Sequence, residues 1–183
     1  MNGMSRNKPH KISLVVQYAS SSRLVPKRAQ LRRWISAALK RDAHITLRIV
    51  DEPEGRKLNN EYRGRDYATN VLTFVYDDAE STPQPPNPSR PPLVRGGVMK
   101  GPGGVALQPL HGDMVICAPV VEKEAAEQHK DLLAHYAHLS IHAALHLQGY
   151  GHEDEKDAAA MESLETALML KLRYPDPYQA TRH

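Results

Sequence analysis

The chain has a single cysteine, Cys117, in 183 residues. No internal disulfide can form, and a reducing cytoplasm is the expected setting. No apolar run approaches the roughly 20 residues a membrane-spanning helix needs. The first ten residues, Met1 to His10, lack a hydrophobic signal core, which points away from secretion. Large apolar side chains are almost missing from residues 81–109, which instead hold 8 of the 14 prolines and 5 of the 11 glycines. Such a stretch cannot bury enough surface to offset its ordering entropy, so 81–109 reads as a mobile insertion within one domain. The whole chain, at 40% apolar and 25% charged, has the composition of a soluble globular protein. Its length fits one domain spanning 1–183, with 1–10 and 179–183 frayed.

Charge of one sign is scarce in each half. Residues 1–70 carry 15 Lys/Arg against 6 Asp/Glu, a net of +9. Residues 71–183 carry 9 against 15, a net of −6. A basic half beside an acidic one suits a polyanionic substrate, although basic helices are often simply solvated faces.

The hydrophobic pattern predicts alternating element types. Lys11–Ala19 and His44–Val50 alternate as strands do, Val71–Tyr76 is rich in β-branched and aromatic residues, and Asp113–Ala118 makes a fourth strand. Pro26 is expected to open a helix whose core stripe is Leu31, Trp34, Ile35, Ala38 and Leu39. A short helix is expected over 54–62, ending near Gly64. Nothing breaks a helix from Pro119 to Gln148. A last helix over about 155–172 places Met161, Leu164, Leu168 and Leu172 inward.

Six of the ten histidines fall between His129 and His152. His142 and His146 are four apart, so a helix puts them on one face, with Cβ atoms roughly 5–6 Å apart. Gly149 supplies the residue at which a helix stops and turns back, bringing His152 round. Three histidines fill three positions of a tetrahedral zinc ion and leave the fourth for water, as catalytic sites do. The same spacing occurs in metzincin peptidases, which carry a glutamate base after the first histidine. Ala143 stands there, so the peptidase base is missing. His138 extends the stripe one turn upstream and is assigned a supporting role. His129 and His135 are expected to be solvated.

Four blocks, in order, resemble the YbeY family of bacterial endoribonucleases, the rRNA maturation factors: Leu58–Phe74, Gly112–Cys117, His138–His152, and Met161–Glu165 with Asp176-Pro-Tyr178. His111, Asn70, Thr73, Ala143 and Gly151 stand where the family usually has Leu, Asp, Ser, Gly and Asp. The resemblance implies an α+β fold, a small mixed sheet of about four strands packed with helices, with the metal at a helix end and the following turn. It also implies one zinc ion on His142, His146 and His152, and an active-site arginine at Arg63. The implied substrate is precursor rRNA, with the ribosomal subunit or its proteins as partners and no membrane or DNA involved.

An arginine can donate two parallel hydrogen bonds to the oxygens of a phosphodiester that gains charge in its transition state, which lysine cannot. Arg63 is the candidate, and Arg65 a possible second phosphate contact. The function that the resemblance implies is zinc-dependent, single-strand-specific endoribonuclease action at the 3′ end of 16S rRNA and in ribosome quality control. A ribosome-associated RNA-binding module with structural zinc, or a metallohydrolase of another substrate class, are the rivals.

Overall fold

β-Branched alternation carries the sheet. The computed structural model describes residues 10–76, 108–151 and 153–179. In chain order these form β1 (Ile12–Ala19), α1 (Arg28–Ala38), β2 (Ala43–Val50), α2 (Glu52–Arg63), β3 (Val71–Tyr76), β4 (Leu110–Cys117), α3 (Ala118–Glu127), α4 (Leu132–Leu147) and α5 (Glu155–Lys171). The strands lie in the order β1-β2-β4-β3, with β1, β2 and β4 parallel and β3 antiparallel to β4 at the edge. The result is the expected α+β fold with a four-stranded mixed sheet. Residues 81–107 of the predicted insertion lie outside the described residues, as do 1–9 and 180–183.

Successive strand residues point to opposite faces, and the two faces are used differently. Ile45, Leu47 and Ile49 of β2 and Met114 and Ile116 of β4 face Leu31, Trp34 and Ile35 of α1 and the apolar residues of α4. Burying each such side chain is worth roughly 1.5–3 kcal/mol. Val50, Leu72, Val115 and Cys117, on the other face, form a smaller cluster with Leu58 of α2. Helices α1 and α4 therefore cover one face and α2 the other. At Gly112 a Cβ would lie 2.8 Å from Leu147 Cδ2 and from the Phe74 carbonyl oxygen, so only glycine lets the end of α4 approach the sheet this closely.

Three boundaries differ from expectation. Helix α1 starts at Arg28 rather than at Pro26, because the Gln30 side chain accepts from the Lys27 N–H at 2.9 Å and closes the first turn there. Strand β4 begins at Leu110 rather than Asp113, since pairing with β2 and β3 recruits His111 and Gly112. The uninterrupted stretch from Pro119 to Gln148 is two helices. His129 adopts a left-handed φ of 51°, and Asp131 accepts from the Ala134 N–H at 2.8 Å to cap α4. Aspartate competes for exposed helix-start N–H groups, which favours a new start over continuation. Helix α2 ends as expected at Gly64, whose φ is 65°.

Candidate metal centre

Helix α4 is apolar on nearly every side and is buried accordingly. From Ala134 to Leu147, only His138, His142 and His146 are not buried. Their spacing of four lines them up as a stripe, and the core around the rest of the helix leaves that stripe no freedom to rotate away. Ala143 is fully buried, where a small apolar side chain fits and a carboxylate base would be stranded. His135 was expected in solvent but is only 4% exposed. The break between α3 and α4 aims it at Glu124, with Nε2 2.9 Å from Oε2. His129, at the break itself, is exposed as expected.

The Nε2 atoms of His142 and His146 face each other at 3.0 Å. After α4 the chain turns at Gly149, with φ 91°, and the Tyr150 N–H returns to the Leu145 carbonyl at 3.2 Å. The predicted turn is therefore present; His152, the third predicted ligand, lies outside the described residues.

Behind the stripe sits a residue that the spacing of the histidines did not reveal. Glu165 of α5 is 0% exposed. Its Oε1 is 2.5 Å from His142 Nδ1, and its Oε2 is 3.2 Å from His138 Nε2. The Tyr178 hydroxyl donates to Oε2 as well and lies 3.3 Å from His138 Nε2. Burial pushes the Glu165 carboxyl up, but hydrogen bonds from His138, His142 and the Tyr178 hydroxyl outweigh it and hold it at about 2. The Tyr178 hydroxyl is pushed the other way, by burial and by the adjacent carboxylate. A signal was available in the sequence: Glu165 lies four residues from both Met161 and Met169, on the buried stripe of α5. Leu164 and Leu168, expected on that stripe, are only partly buried against the core.

Among the described residues, ligand-type atoms of His138, His142 and Glu165 come within 4.8 Å of one another. The 2.5 Å contact between His142 Nδ1 and Glu165 is a charge-assisted hydrogen bond, too short to separate two ligands of one ion. The Nε2 pair fits an ion better. Two ligands on a tetrahedral zinc with arms of 2.0–2.1 Å stand about 3.3 Å apart, close to the 3.0 Å seen between His142 and His146. With Nδ1 of His142 committed to a carboxylate, its Nε2 is left as the lone pair that a metal requires. The donor set thus suits a transition metal.

Beside the histidines, a cavity of about 250 Å³ is lined by Asn70, Glu124, Lys130, His135, His138 and His142, among others. Asn70 Nδ2 donates to both Glu124 oxygens at 3.2 and 3.1 Å, tying β3 to α3. Arg63 is exposed at the last residue of α2. Arg65 is exposed too, with Nη1 3.4 Å from the Tyr67 hydroxyl. Helices α2 and α4 cover opposite faces, and the Tyr62 ring packs edge-on against Phe74 with centroids 4.8 Å apart, which sets the end of α2 beside edge strand β3.

Fold and site together define an α+β protein whose buried helix α4 carries a histidine stripe with donors that could hold a metal ion. The profile of the family described as Endoribonuclease YbeY matches residues 17–173. A protein named Endoribonuclease YbeY from Nitrosospira multiformis is 52% identical over 175 residues, covering 95% of this chain and 85% of its own. One of the same name from Methylobacillus flagellatus is 46% identical, covering 94% of this chain and 97% of its own. The solution structure of TM1509 from Thermotoga maritima is 20% identical with a TM-score of 0.46, over 87% of this chain and 92% of that one. The chain belongs to the Endoribonuclease YbeY family, enzymes that act on RNA phosphodiester bonds.

Proposed function

We propose that this protein is a zinc-dependent, single-strand-specific endoribonuclease of the cytoplasm. Its role is to mature the 3′ end of 16S rRNA and to take part in ribosome quality control, with the ribosomal subunit or its proteins as partners. The observation that carries the metal reading is the 3.0 Å approach of the His142 and His146 Nε2 atoms, on a helix packed so that they cannot point elsewhere. His142, His146 and His152 would hold the ion, and His138 would support them. Zinc supplies Lewis acidity, which brings the pKa of water down to about 7 and polarises a phosphoryl oxygen.

The chain's own residues do the rest. The guanidinium of Arg63 reaches the scissile phosphate around β3 and donates two parallel hydrogen bonds to its oxygens, strengthening as charge builds there. Arg65, two residues on, contacts a neighbouring phosphate. A narrow approach around one sheet edge suits a single strand, whose backbone bends more readily than a duplex. Ala143 stands where metzincin peptidases carry their glutamate base, which favours a phosphodiester over a peptide.

Incubation of the purified protein with single-stranded and duplex RNA, with and without chelator, tests this reading. Expected is cutting of the single strand, loss with chelator and restoration by zinc. Cleavage that survives complete metal removal, or equal cutting of duplex, would sink it; zinc binding without any cleavage would favour an RNA-binding module with a structural ion.

A further inference from the structure

The geometry points to Glu165 as a positioning residue that fixes the tautomer and direction of His142, so that its Nε2 lone pair faces His146. This rests on the reading above, in which His142 and His146 hold the metal.

Glu165 has no exposure to solvent, and three side chains surround it. His142 Nδ1 sits at 2.5 Å from one oxygen, while His138 Nε2 at 3.2 Å and the Tyr178 hydroxyl share the other. An ionised carboxylate accepts and does not donate, and with three donor groups turned towards Glu165 the proton in the His142 contact belongs to Nδ1. In a neutral imidazole, a proton on Nδ1 leaves Nε2 as acceptor. The second oxygen of Glu165 is anchored by residues from two other segments, α4 and the turn after α5. The carboxylate therefore cannot rotate away from His142 without losing both anchors. Position 165 falls between Met161 and Met169 on a stripe that packs into the core. An apolar side chain would pack there, and burying an ionised group instead costs several kcal/mol unless it is well partnered. His138 has its own part in this arrangement: its Nε2 lies against the Glu165 carboxylate and its ring packs edge-on against His142, so it steadies both the carboxylate and the ring that the carboxylate directs.

Glu165→Met continues the Met161–Met169 stripe and removes the acceptor, whereas Glu165→Gln keeps an oxygen of similar reach. Two readouts decide: the ¹⁵N resonances of the His142 ring in metal-free protein, and zinc affinity by competition with a chelating dye. Expected are an Nδ1–H tautomer in wild type, its loss in Glu165→Met, and a zinc Kd about 10–100-fold weaker with about one ion still bound at saturation. Glu165→Gln should recover most of both. An Nε2–H tautomer in the wild-type protein overturns the inference whether or not any variant folds. So does a wild-type Kd in Glu165→Met while His146→Ala has lost its zinc. Complete loss of the ion in Glu165→Met, even at saturating zinc, also overturns it by making Glu165 a ligand. If His146→Ala retains its zinc, the ligand set is what fails.

Discussion

His138 and Arg63 show how differently single residues can serve one reaction. The Nε2 of His138 goes to Glu165 and Tyr178 and its ring packs edge-on against His142, so its loss should loosen the site without emptying it. His138→Ala is expected to bind about one zinc per chain when the metal is abundant, with affinity or activity reduced by the roughly 10–100-fold typical of supporting residues. Titration with zinc checks this; an emptied site would promote His138 to a ligand. Arg63 is exposed at the end of α2, and the fold draws nothing from it that lysine could not supply. Arg63→Lys keeps the charge and loses the fork. RNA cleavage should fall strongly, RNA binding less, and zinc content and melting temperature hardly at all, since contacts made chiefly in the transition state raise turnover rather than ground-state affinity. Normal cleavage would move the role to Arg65, and unfolding would make Arg63 a structural residue. The histidines were legible at this scale because a spacing of four states its own geometry. Glu165 was not, because a carboxylate inside a helix pattern usually reads as a solvated position.

At the scale of elements, what the sequence could not show was the seam between α3 and α4. Both halves are good helix formers, and only the capping geometry of Asp131 and the left-handed His129 divide them. The division has a consequence: it turns His135 into the core and pairs it with Glu124, which Asn70, just before β3, also grips. Burial pushes the Glu124 carboxyl up, yet the hydrogen bonds from His135 and Asn70 outweigh it and hold the group below its ordinary value. A carboxyl lowered in the folded state stabilises the fold above its unfolded value of about 4.3. That contribution disappears as pH falls through the lower, folded value. Glu124→Gln should therefore lower the melting temperature at pH 6 and lose less on going to pH 3.5 than wild type does. Melting curves at the two values check it; parallel losses would show that the acid sensitivity lies in other groups. Strands β1, β2 and β3, by contrast, were legible almost to the residue, because their alternation survives wherever one face meets a core.

For the molecule as a whole, the mixed sheet decides what residues 77–107 have to do. β3 and β4 are antiparallel neighbours whose ends meet at the Tyr76–His111 pair, so a hairpin connection of a few residues could join them. The connection is far longer than that, and its 81–109 portion carries 8 prolines and 5 glycines with few large apolar residues. Composition made this stretch stand out, but it could not say whether the length serves the fold or the substrate. Among the described residues, each face of the sheet already carries an apolar cluster. Replacing 81–105 with a short Gly/Ser turn, while keeping Gln108, whose carbonyl accepts from Arg41 Nη1 at 3.4 Å, should leave the melting temperature nearly unchanged. A large drop would mean that the segment packs against the domain. Zinc content should also hold, since His142, His146 and Glu165 lie on α4 and α5. RNA cleavage then separates the remaining possibilities: unchanged rates would make the segment dispensable for catalysis, whereas a rate lost with stability and zinc intact would make it a substrate contact on the same side of the sheet as the β3–β4 ends.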